Sequence, residues 1–147
     1  MSKDITLTNG NDTLVVENTG DYNWFNIYAL EGDDDITIRT PTVNVNLGKG
    51  NDRIVNESGQ PWAGVAYWDS PNAIHVDLLT GVAKDGWGTT DTLVNIQHVH
   101  TSGRNGDVVL GSNTNDSLWL NGFWQEGTSL IDGRAGHAGP PNAHPSV

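Results

Sequence analysis

The chain has 147 residues, enough for one domain, with 7 lysines and arginines against 18 aspartates and glutamates and a formal charge of -11. That charge repels nucleic-acid phosphates and anionic membrane surfaces and favours metal cations or cationic partners. The absence of cysteine excludes disulfides and thiolate metal sites, and no run of apolar residues is long enough for a membrane-spanning helix.

Helix periodicity is nearly absent, because Gly, Pro or Asn interrupts every window that could carry it. Alternation of period two takes its place. Ile36 and Ile38, then Val43, Val45 and Leu47, then Ile74, Val76 and Leu78 each alternate with polar neighbours, as strands with one buried face do. Turn signals fall between them at Asn9–Asp12, Gly32–Asp34, Gly48–Asp52, Thr80–Gly81, Gly86–Gly88, Gly103–Asp107 and Gly111–Asp116. The chain is therefore expected to be all-β. Short strands at this spacing admit a sandwich, a barrel or a solenoid.

Repetition separates these. Gly10-Asn11-Asp12-Thr13-Leu14, Gly32-Asp33-Asp34-Asp35-Ile36 and Gly50-Asn51-Asp52-Arg53-Ile54 all read Gly-x-Asp-x-aliphatic. The second and third copies lie two nonapeptides apart, whereas the first interval carries four further residues, placed by the pattern near Tyr22–Phe25. Asp107 and Asp116 are one nonapeptide apart, each followed by an aliphatic, Val109 or Leu118. If a coil closes every two nonapeptides, Asp34 and Asp52 stack about 4.8 Å apart and their repulsion calls for a divalent cation.

These turns resemble the RTX, or haemolysin-type, calcium-binding repeats, with Leu47–Val55 the copy nearest to the consensus. The segment Ala66–Val99 is similar to the degenerate linking stretch of such proteins. The resemblance implies a parallel β-roll or β-helix solenoid with calcium held between stacked turns, irregular in its second half. Residues 1–60 would form the N-terminal turns, 61–136 a degenerate continuation of the same solenoid, and 137–147 a tail. Candidate metal ligands are Gly10, Asn11 and Asp12; Gly32, Asp33 and Asp34; Gly48, Gly50, Asn51 and Asp52; and, with poorer loops, Asp107 and Asp116. Calcium takes six to eight oxygens, and glycine lets the backbone approach the ion. In the last copy, Gly133–Ala138, alanine replaces the acid, which marks it as a cap without a side-chain ligand.

His98 and His100 share a strand face, but with no third positioned ligand they read as surface residues rather than as a zinc site. Asp69, Asp77, Asp85 and Asp91 belong to no recognisable catalytic constellation, and no nucleophile or phosphate-binding motif occurs, so an enzyme is not expected. A thin solenoid interior favours aliphatic side chains, so some of the six tryptophans should lie outside it, with Trp119 and Trp124 as the preferred contact surface. The resulting expectation is an extracellular Ca2+-dependent structural protein, binding no nucleic acid and inserting in no membrane, whose partners are copies of itself or an extracellular polysaccharide. The alternative is an accessory module of a secreted polysaccharide-modifying enzyme of the alginate epimerase or lyase type. The resemblance also implies type I secretion without a cleavable N-terminal signal, although the tail Gly139–Val147 does not look like the C-terminal signal of that route.

Overall fold

In the computed structural model, residues 1–17, 20, 22–119 and 130–134 are described. Among them there are fourteen strands and no helix: β1 (Ser2–Thr6), β2 (Thr13–Val16), β3 (Trp24–Tyr28), β4 (Asp35–Ile38), β5 (Val43–Asn46), β6 (Arg53–Asn56), β7 (Ala63–Ala66), β8 (His75–Asp77), β9 (Val82–Lys84), β10 (Thr90–Val94), β11 (His98–His100), β12 (Val108–Leu110), β13 (Ser117–Trp119) and β14 (Leu130–Asp132). The chain alternates between two sheets. One runs β1-β3-β5-β7-β11-β13, all parallel; the other runs β14-β12-β8-β9-β10-β6-β4-β2. This is a β-solenoid whose successive coils stack in register.

Alternation explains its interior. Ile36 and Ile38, Val43 and Val45, Ile54, Val65, Val76, Val99 and Val109 all turn inward and are almost completely buried. Leu47, Ile74 and Leu78, which flank strands, join the same core. β-branched side chains suit these positions because their restricted rotamers pack well on a pleated surface. The described tryptophans keep out of it: Trp24, Trp87 and Trp119 are half-buried, and Trp62 and Trp68 are exposed.

The first coil is longer than the next, as the spacing implied, and the extra residues fall in the interval before β3. Val16 pairs with Ile38 while Phe25 already pairs with Val43, so the excess falls between Val16 and Trp24. The second half is irregular for a definite reason. After β8 the chain does not close a parallel coil; β9 returns antiparallel to it and β10 antiparallel again, which lets β10 stack in parallel on β6. Normal winding then resumes with β11 on β7 and β12 on β8.

Coils approach so closely at one corner that only glycine fits. A Cβ on Gly50 would lie 1.8 Å from the Gly32 carbonyl oxygen, and one on Gly32 would lie 2.3 Å from that of Gly10. Their φ angles, 149° and 110°, are also ones that L side chains avoid. Gly10 has ordinary φ, and a Cβ there would meet nothing nearer than 3.6 Å. Gly50→Ala is therefore expected to cost about 3 kcal/mol or more, against under about 1 kcal/mol for Gly10→Ala, in urea unfolding. Equal losses at the two positions would contradict this stacking.

Candidate metal centre

The Gly-x-Asp-x-aliphatic spacing decides where the carboxylates point. An aspartate two residues before a core aliphatic shares its side of the chain, so each acid turns inward at the corner where the chain enters the eight-stranded sheet. Stacking in register then brings Asp12, Asp34, Asp52 and Asp91 into one column. Asp34, Asp52 and Asp91 are buried, at 2%, 2% and 0% exposure.

The column is linked by hydrogen bonds. The Asp12 amide donates to Asp34 Oδ1 at 2.7 Å, the Asp34 amide to Asp52 Oδ1 at 2.9 Å, and the Asp52 amide to Asp91 Oδ1 at 3.1 Å. Beside it, Asn11, Asp33, Asn51 and Thr90 form a second ladder of opposite polarity. There the Asp33 amide donates to Asn11 Oδ1 at 2.8 Å, Asn51 to Asp33 Oδ1 at 2.8 Å, and Thr90 to Asn51 Oδ1 at 3.1 Å.

The ends of the aspartate column are closed. Asp12 Oδ2 accepts from both the amide and the hydroxyl of Thr8 at 2.8 Å, and Asp91 Oδ2 accepts from the buried Tyr67 hydroxyl at 2.9 Å. The middle is open: Oδ2 of Asp34 and Oδ2 of Asp52 are buried and have no partner. Such an atom costs free energy unless a proton or a cation meets it. Burial pushes the Asp34 carboxyl above its ordinary range, and pushes Asp52 to about 7 and Asp91 to about 8, with neighbouring carboxylates adding to each. Asp85, itself held by Trp87, Thr89 and the Thr89 hydroxyl, contributes to that field.

The remaining candidates are differently placed. Gly10, Gly32 and Gly50 line the corner, and Gly48 packs against the Leu30 carbonyl. Asp107 lies before β12 and Asp116 before β13, hence on opposite edges. Asp107 Oδ1 accepts from the Ile74 amide and the Ser102 hydroxyl, and its Oδ2 from the Ser102 hydroxyl and the Gly103 amide. Asp116 is engaged by the Ser112 amide and hydroxyl. Both carboxylates are satisfied by their own loops, unlike Asp34 and Asp52. Trp119 donates to the Ser117 hydroxyl. Trp124, most of the Gly133–Ala138 copy and the tail lie outside the described residues.

Two members of the site escape the nonapeptide count. Asp91 stacks on Asp52 from 39 residues away, and Tyr67 caps it. Asp91 could have been found, since Asp91-Thr92-Leu93 repeats Asp12-Thr13-Leu14; nothing local marks Tyr67. Among the described residues no three acidic, His or Cys side chains form a ready cage, so a cation here would take further oxygens from main-chain carbonyls and water. No family model matches the chain, and no curated protein or solved structure shows a significant match to it.

The raised carboxyl pKa values set a sign for pH dependence without metal. Folded Asp52 and Asp91 hold protons that the unfolded chain has released, so stability falls as pH rises toward about 7 and about 8 respectively. Below about 6.5 the imidazoles of buried His98 and half-buried His100, whose pKa values are lowered, act in the opposite sense. In chelator, Tm is expected to drop by on the order of 5 °C between about pH 6.5 and 8.5. Thermal scans showing Tm constant or rising over that interval would contradict the buried column.

Proposed function

We propose that the protein is an extracellular calcium-binding β-solenoid with a structural role, in which calcium completes the carboxylate column and the folded coils present surfaces for assembly or adhesion. The observation that carries this reading is the pair of unpartnered buried oxygens, Oδ2 of Asp34 and Oδ2 of Asp52, one coil apart. A hard cation prefers such oxygens to nitrogen or sulfur donors, and it relieves desolvation and mutual repulsion together. Because an unfolded chain holds no such site, binding energy becomes folding energy. Extracellular modules bind calcium at roughly 10⁻⁴ to 10⁻³ M, so folding would await calcium-rich surroundings.

The N-terminal end supports assembly as the role. Among the described residues β1 and β2 end their respective sheets with one edge unpaired, and Ile5, Leu7 and Leu14 there are only partly covered by the core. Exposed edges of parallel coils invite stacking by another chain. The exposed rings of Trp62 and Trp68 favour, as a second reading, a module that holds polysaccharide by stacking on sugar faces. Particle sizing by electron microscopy distinguishes these. Calcium-dependent polymers fit assembly, whereas monodisperse particles retarded in an alginate gel fit the accessory module.

The calcium reading has a variant test with an internal control. In isothermal titration calorimetry, Asp34→Asn and Asp52→Asn are each expected to weaken calcium binding at least about tenfold. Asp107→Asn should lower stability and leave calcium affinity unchanged, because that carboxylate already serves its own loop. An unaltered affinity in both the Asp34→Asn and Asp52→Asn variants would refute the site.

A further inference from the structure

The outer face of the six-stranded sheet carries a second cluster that the calcium reading does not use. Val99 turns into the core, so alternation puts His98 and His100 on the opposite face of β11. Their Nε2 atoms lie 2.9 Å apart. The sequence suggested surface histidines, but His98 is only 7% exposed and its Nδ1 has no partner. Gly64 on the neighbouring β7 makes the room. A Cβ there would come within 2.5 Å of His98 Cδ2, so the imidazole occupies the space that a side chain at Gly64 would fill.

His100 is held between indoles. Trp119 stacks on it with ring centroids 5.9 Å apart and planes at 23°, and Trp68 meets it edge-on at 5.3 Å. Burial, with His100 adding a smaller effect, drives His98 down to about 4, and burial lowers His100 too. Both rings are therefore neutral at pH 7. Two neutral imidazoles this close share one proton between nitrogens that each could give a lone pair to a metal.

We propose that His98 and His100 form a bidentate site for divalent copper, their Nε2 atoms occupying adjacent corners of a tetragonal plane that water completes. With metal–nitrogen bonds of about 2.0–2.1 Å, the 2.9 Å separation subtends about 90° at the ion. That is the angle of a tetragonal Cu(II) or Ni(II) site. Tetrahedral zinc would need the nitrogens about 3.4 Å apart. Between the two tetragonal ions, imidazole binds copper more strongly. On binding, the ring that carries Nε2–H passes to its Nδ1–H tautomer, so neither ring must lose a net proton. The donors are nitrogens on the sheet face, whereas the calcium reading uses oxygens at the coil corner, so the two sites are independent.

Trp68 and Trp119 make the site self-reporting, since bound Cu(II) quenches nearby indoles. The full chain is titrated with copper sulfate, with and without added calcium, following tryptophan fluorescence and the electron paramagnetic resonance spectrum. The expected result is quenching that saturates near one equivalent, with hyperfine structure from two nitrogens and no displacement by calcium. His98→Gln and His100→Gln should each weaken binding at least tenfold, while His75→Gln, exposed on the other sheet, should not change it. Quenching that persists in the His98/His100 double variant would overturn the proposal. A wild-type spectrum without two-nitrogen coupling would do so even if a variant failed to fold.

Discussion

Carboxyl groups stacked in a buried column set the terms for this fold. The same two-residue offset that makes each turn aspartate precede a core aliphatic also forces its carboxylate inward, and parallel stacking repeats that carboxylate in every coil. The chain gains from this, because each Oδ1 ties one coil's backbone to the next. It also incurs a cost, because desolvated acids about one strand spacing apart repel each other. The ion pairs of Arg39 with Glu17 and Glu57, of Arg53 with Asp35, and of Arg134 with Asp77 all lie elsewhere.

The column is managed differently along its length. At its ends neutral hydroxyls suffice, from Thr8 at one end and Tyr67 at the other. In the middle no hydroxyl reaches, and two oxygens are left over. The proposed calcium belongs there for that reason and not because acids are numerous, since Asp107 and Asp116 are equally buried acids whose loops supply their own donors. The exposed ladder of Glu17, Arg39 and Glu57 repeats the stacking in alternating charge, and in water it contributes little. Burial is what turns the aspartate column into a requirement.

Much of this architecture was legible in the residues. Period-two alternation at Ile36/Ile38 and Val43/Val45 places strands and core together, and the Gly-x-Asp repeat places Asp34 over Asp52. Long-range placement was not legible. The β8–β9–β10 detour depends on pairing between segments that keep no fixed spacing, so Asp91, although its triplet repeats that of Asp12, reached the column at an interval no period predicts. Tyr67 was hidden because a solitary tyrosine after a strand gives no sign that its hydroxyl ends a ladder. The histidine pair was visible as a pattern, but its burial depended on Gly64, whose missing side chain matters only once β7 and β11 are adjacent.

A crystal structure grown in calcium tests the central claim most directly, with anomalous scattering used to identify the ion. The account predicts a calcium ion in contact with Oδ2 of both Asp34 and Asp52, completed by backbone carbonyls and water. A calcium-soaked crystal in which those two oxygens instead meet each other through a shared proton, or meet only water, would contradict it.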